Sequence, residues 1–177
     1  MRKLRGPWPA VLLLWPLAGY ASDVDIPELG IRLTMLPAAA SKPEVEERPA
    51  GYQADTHLGS ALLSIYRQDA PVPAGSDVAE PSYRAMLDAR FGNVVESKTE
   101  GAPTAVGGHS AWTVVGARES RGSPTDYVCV TYVIVDEHLY RLTVTAQASA
   151  GRPPEFDSLV KAMSGVAFEQ VRRANQG

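Results

Sequence analysis

Apolar and polar positions alternate with two different periods along this chain, and the switches between them mark its elements. In "LGIRLTMLP" Leu29, Ile31, Leu33 and Met35 recur at every second position, the pattern of a strand with one buried face. Residues 37–58 keep neither period. Prolines at 37, 43 and 49, the acidic "EVEE" and Gly51 predict a loop there, at most with a short edge strand, because proline is confined to loops and edges. "SALLSIYR" resumes the strand pattern. The period lengthens in "DVAEPSYRAMLDARFG", where Tyr83, Met86, Leu87 and Phe91 recur at three- and four-residue steps. That spacing predicts a helix capped by Asp77, with Pro81 in its first turn and Gly92 at its stop. "NVVESKTE" and "AWTVVGARES" predict two more strands. "PPEFDSLVKAMSG" predicts a closing helix with Phe156, Leu159, Val160 and Met163 on one face and Gly165 at its end.

The clearest element is "DYVCVTYVIVDEHLYRLTVTAQ", two β-rich runs around Asp136-Glu137-His138, which predicts a hairpin. Setting Val135 opposite Tyr140 pairs Val133 with Leu142, Thr131 with Val144 and Cys129 with Ala146, and makes one face almost wholly apolar. The other face still carries Val128, Val130, Tyr132 and Ile134. A strand apolar on both sides is covered on both sides. The predicted fold class is therefore α+β, an antiparallel β-sheet with 127–135 central and helices covering both faces.

The start of the chain has a different character. Arg2, Lys3 and Arg5 precede an apolar run from Trp8 to about Ala18, and Gly19 and Ala21 stand at the −3 and −1 spacing that signal peptidase reads. A spanning helix needs about 20 apolar residues, and this run is shorter and broken by Pro9 and Pro16. Tyr20 stands where a lipoprotein box would carry cysteine, so no lipid attachment and no stable membrane anchor are expected. The leader holds three of the 17 basic residues and none of the 20 acidic ones, which leaves 14 − 20 = −6 after cleavage. That charge argues against a nucleic-acid or anionic-membrane surface. The single cysteine, Cys129, cannot form an internal bridge and reads as a small apolar core residue, with a reactive thiol as the alternative.

The element order resembles the PsbP-like superfamily of α/β/α sandwiches over about residues 29–170. The resemblance rests on "GIRLTMLP", on "VGGHSAWTV" in the place of the family's Gly-x-x-Ala turn into a strand, on "DEHLYRLTVTA" and on "FDSLVKAMSGVAF". It implies a small non-enzymatic domain used for protein contacts; relatives include photosystem assembly proteins, a Ran-binding nuclear protein, chaperones for secreted toxins and exported bacterial lipoproteins. This chain departs from the last group in lacking the lipid-bearing cysteine. The implied organisation is a signal peptide over 1–21, a linker over 22–28, one PsbP-like domain over 29–171 and a tail over 172–177.

Candidate chemistry is sparse. "GHSAW" lacks one residue of the nucleophile elbow Gly-x-Ser-x-Gly: Trp112 fills the place where glycine lets a following helix pack close, and "TVVGARES" after it is strand-like. Asp126 or Asp136 with His138 would complete the order of a triad on Ser110, but His138 is predicted at a hairpin tip. Gly107-Gly108 reads better as a turn needing positive φ. His57, His109 and His138 are isolated, with no His-x-x-x-His spacing and no cysteine pair, so no metal site is implied. "EVEE" lacks the spaced acidic groups and turn glycine of a calcium loop, and no phosphate-cradling glycine pattern occurs, so no cofactor is expected. Tyr52 and His57, in "RPAGYQADTHLGS", are the candidate partner-binding residues, since long loops carry function and tyrosine anchors interfaces. The plainer reading folds Tyr52 over the sheet edge. Trp112 reads as core rather than anchor.

The expected function is that of an exported, soluble, non-catalytic protein, periplasmic or secreted, that binds a protein partner as assembly factor, chaperone or immunity-type protein. The alternatives are a carrier of a small lipophilic ligand, which needs a roomy cleft, and a serine hydrolase built on Ser110. Export has a direct test. Fractionation with intact-mass measurement should find a soluble species beginning near Ser22; a retained Met1 or a lipid adduct would overturn it.

Overall fold

A computed structural model describes residues 23–81, 84–85, 97–98, 101–118 and 124–169. Two short strands open it, β1 (Val24–Ile26) and β2 (Ile31–Leu33), and the last strand, β11 (Val166–Phe168), lies on the other side of β2. All pairing in this three-stranded sheet is antiparallel. The stretch 22–28, read as a linker, thus contains β1. Arg32 in the middle strand reaches Asp25 on one side and Glu169 on the other, both at 2.6 Å, and ties the two ends of the described chain together.

The larger sheet holds β3 (Glu44–Arg48), β4 (Gly51–Leu58), β5 (Ala61–Gln68), β6 (Ser97–Lys98), β7 (Ala102–Val106), β8 (His109–Arg118), β9 (Thr125–Val135) and β10 (His138–Ala148). Its order is β3-β4-β5-β10-β9-β8-β6, with β7 also on β8, and every pair is antiparallel. Residues 37–58 are therefore mainly strand, not loop. Pro43 and Pro49 lie just outside β3, so they bound the strand without breaking its ladder.

The β9–β10 hairpin exists, with a register two residues away from the predicted one. Val135 faces His138, Val133 faces Tyr140, Thr131 faces Leu142 and Cys129 faces Val144. The loop is only Asp136-Glu137, with φ of 48° and 65°, the two-residue hairpin turn whose twist suits antiparallel strands. Because side chains alternate with period two, a two-residue shift keeps every residue on its predicted face.

One face of the large sheet carries the main core. Leu63 and Ile65 of β5, Leu142 and Val144 of β10, Cys129 and Val133 of β9 and Ala111 of β8 pack with Ile31, Leu33 and Val166 of the small sheet. The helix α1 (Pro154–Ser164) adds Phe156, Leu159 and Met163. Acidic Glu155 and Asp157 in its first turn and Lys161 in its last suit the helix dipole, and the Gly165 N–H closes on Ala162 O. On the opposite face a second cluster joins Val72, Val78, Trp112, Val114, Val130, Tyr132 and Leu139.

The predicted fold class is corrected by this arrangement. The chain is mostly β, in two antiparallel sheets with one described helix, and is not a single sheet covered by helices on both faces. The inference that β9 is covered on both sides holds, but burial asks only for apolar surface and not for a helix. A three-stranded sheet shares the main face with α1, and the segment bearing Val72 and Val78 packs on the other. Of the helix predicted over 77–92, the Asp77 cap is present, its Oδ1 accepting the Ala79 N–H at 2.8 Å, and Arg84 N–H donates to Glu80 O. Most of the rest lies outside the described residues.

The buried Thr131 and Tyr140 hydroxyls are satisfied by hydrogen bonds, whereas Arg67 Nε and Arg84 Nε are buried without a hydrogen-bond partner among the described residues. Thr131, fully buried, shares a hydroxyl chain with Thr113 at 2.7 Å and, through it, Thr104 at 2.9 Å. Tyr140 donates its hydroxyl to Leu29 O at 2.8 Å, and its ring meets Phe168 edge-on. Val133 sits at the centre of this packing with no exposure. Val133→Asp would bury an unpaired carboxylate there, at a cost of about 3–5 kcal/mol. Soluble folded protein should be lost, as read by expression yield and circular dichroism.

Candidate functional site

The predicted contact residues do not form one surface. Tyr52 and His57 lie in β4, and alternation puts them on opposite faces of the large sheet. Tyr52 packs against the main core beside Arg67, its cross-strand partner, whose guanidinium lies 5.5 Å from the ring centre. His57 is exposed near the far end of the strand, its N–H donating to Ser41 Oγ. Trp112 is core, 6% exposed, with the Arg84 guanidinium 4.6 Å above its ring.

Ser110 is the second residue of β8, exposed and opposite Ala105. It shares a face with Trp112 and Val114, whereas His138 shares one with Tyr140 and Leu142 on the other side of the sheet. The His138 ring is hydrogen-bonded through Nδ1 to Gln68 O at 3.1 Å, and the Asp126 carboxylate accepts from Gln147 at 2.6 Å. No triad is brought together here. Gly107 and Gly108 form the β7–β8 turn at φ of 56° and 82°, as read from the sequence. His109 meets Phe168 edge-on at 5.4 Å. Among the described residues no three His, Cys, Asp or Glu side chains gather in a way that could hold a metal ion. Burial pushes the Cys129 thiol up to about 11, which keeps it neutral and a poor nucleophile at physiological pH.

The concave feature lies on the second face of the large sheet, away from α1. Four strands build it, in a gradient of polarity. From β9 come Val128, Val130 and Tyr132; from β10, Leu139, Arg141, Thr143 and Thr145; from β5, Ser64, Tyr66 and Gln68; from β4, Gln53. The hollow holds about 390 Å³. A second hollow of about 620 Å³, lined by Ser60, Pro124, Asp126 and Gln147, shares Val128 and Thr145 with it, so the two form one groove along β9 and β10. At the polar wall the Tyr66 hydroxyl donates to Ala50 O at 2.7 Å and its ring lies 5.5 Å from the Arg141 guanidinium. Gln53 donates to both Asp55 oxygens at 3.0 Å. Apolar floor on one side and rigid polar rim on the other suit an elongated amphipathic occupant.

The signal for this groove was in the alternate positions of strands already recognised. Ser64, Tyr66 and Gln68, and Arg141, Thr143 and Thr145, read as ordinary solvent-facing residues until four strands are set side by side.

No family model matches the chain, and no curated protein matches it in sequence. Among solved structures it is similar to a cyanobacterial PsbP from Synechocystis, at 12% identity and TM-score 0.49, over 92% of this chain and 98% of that one. It is also similar to LpqN, involved in cell envelope biogenesis of Mycobacterium tuberculosis, at 16% identity and TM-score 0.47, over 79% and 83%. A third is PA94, a protein of unknown function from Pseudomonas aeruginosa, at 15% identity and TM-score 0.43, over 82% and 95%. A PsbP is thus among its structural neighbours.

The turn at Gly107 and the serine beyond it give opposite expectations. Ser110→Ala should change stability by under about 0.5 kcal/mol, and a fluorophosphonate probe should leave the parent unlabelled. Gly107→Val should cost about 2 kcal/mol or more, since the residue holds a positive φ and a Cβ there would come within 2.7 Å of the Phe168 ring and 2.8 Å of Val166 O. Thermal melts of both variants check the pair. Cys129 should resist alkylation at pH 8 in the native protein and react once it is unfolded.

Proposed function

We propose that this chain is an exported, non-catalytic binding protein, periplasmic or secreted, whose working surface is the groove on the second face of its large sheet. The observation that supports it is the groove's gradient from Val128 and Val130 to Gln53 and Gln68, built on paired strands instead of mobile loops. Main-chain pairing on both sides of β5, β9 and β10 holds these side chains in fixed positions, so little ordering entropy is lost on binding. The favoured occupant is an extended segment of a protein partner, because two joined hollows lying along the strands suit a long ligand better than a round one. The leader-like layout of residues 1–21 supports the exported location.

A second reading, a carrier of a small amphipathic molecule, is favoured by the volume of the first hollow, which falls in the range of roughly 300–1,000 Å³ typical of such sites. One experiment addresses both. A photo-cross-linking residue is placed at Thr143 in the groove or at exposed Ser158 on α1, and irradiated in the envelope extract of the producing cell. A discrete protein adduct from Thr143, absent from Ser158 and abolished by Val128→Glu, is the expected result. A small molecule that survives purification, seen by native mass spectrometry and displaced by Val128→Glu, would favour the carrier. Equal adducts from both positions would sink the groove as the site.

A further inference from the structure

The two margins of the large sheet are protected differently. At one, β7 carries Pro103, which removes a backbone donor. At the other, β3 has no proline within it, and all five of its residues, Glu44–Arg48, are exposed. Strand β4 occupies one side of β3, and β3 ends the sheet order on the other, so its outward N–H and C=O groups offer a template for one more strand. Among the described residues only charge guards it.

That charge is selective. Glu44 and Glu46 point to one face and Val45 and Glu47 to the other. Val45 is 40% exposed, the large apolar side chain left most open among the described residues. Glu44 lies directly opposite Asp55 across the β3–β4 ladder, a like-charged pair on one face that is unfavourable as it stands. Arg48 pairs with Glu46 at 2.8 Å, and Gln53 donates to both Asp55 oxygens. A second copy of the strand paired about its centre would set Glu46 against Glu46 and, although Glu44 would then face Arg48, would bring together two strands that each carry three carboxylates and one guanidinium, so self-association meets net repulsion. A strand alternating cationic and aliphatic residues meets the reverse: its cations fall beside Glu44 and Glu46, and its aliphatic row falls on the face of Val45.

We propose that β3 is a docking edge for an extended basic segment of a partner, added to the sheet as an antiparallel or parallel strand by main-chain hydrogen bonds, with specificity from Glu44, Glu46 and Val45. This surface is separate from the groove and stands whether or not the groove reading does.

The test uses a fluorescent eight-residue peptide of alternating lysine and valine, with anisotropy as the readout against the folded protein. The peptide should bind, and binding should fall at least tenfold when alternate peptide nitrogens are methylated. The doubly reversed E44K/E46K variant, checked for an unchanged melt, should lose the lysine peptide tenfold and gain the glutamate–valine counterpart. Val45→Pro should weaken binding, and Val128→Glu in the groove should leave it unchanged. No binding of the lysine peptide, or equal binding of the methylated peptide, would overturn the proposal. So would a dimer in sedimentation that Val45→Pro dissolves, since the edge would then belong to a second copy.

Discussion

The ladder between β9 and β10 is the constraint on which the other elements rest. It pairs all eleven residues of each strand, and every other layer is laid on one of its two faces. Its register is set at one point, the two-residue turn at Asp136-Glu137, where both residues hold positive φ without being glycine or asparagine. Such residues resist that conformation by about 1–2 kcal/mol each, so the turn persists because the ladder over-determines it. The tip is held from outside as well, since Glu137 O accepts the Val72 N–H at 2.7 Å and binds the segment that covers the second face.

What could be read in the residues was the part governed by period. The faces of β9 and β10, the span of β5 and the extent of α1 all follow from alternation or from three- and four-residue steps. The register did not, because neither Asp136 nor Glu137 signals a two-residue turn in the way Asn-Gly does. Of the strands in 37–58 only a short edge strand such as β3 was allowed for, and β4 was missed because three prolines weighed against it, although Pro43 and Pro49 fall in the gaps and not in the ladder. The strands β1 and β11, three residues each, are too short to show a period at all. They form only because Arg32, Ile31 and Leu33 give them something to pair with and pack on. The helical cover of both faces failed for a related reason: apolar surface on β9 demands a cover, and hydrophobicity is indifferent to its secondary structure.

The candidate site shows the same limit at longer range. Tyr52 and His57 drew attention as residues of a supposed loop, and strand geometry then turned them to opposite faces. The groove has no local signature, because its wall takes one or a few residues from each strand of two hairpins, β4–β5 and β9–β10, that are distant from each other in sequence. Its polar rim arises where β4 and β5 approach the sheet margin, and its apolar floor where β9 passes through the centre. Position within the sheet, more than composition, sets its chemistry.

The small sheet has a consequence in time. Strand β2 needs β11 as its neighbour, so Ile31 and Leu33 wait for Val166 and Phe168, about 135 residues further along the chain. A polypeptide that emerges amino-terminus first, from a ribosome or a secretion channel, can close the β9–β10 hairpin before Val166–Phe168 are available to pair with β2. Such non-local closure slows folding, and here it sets an order of events: the hairpin can form first, and the small sheet closes only when β11 reaches β2.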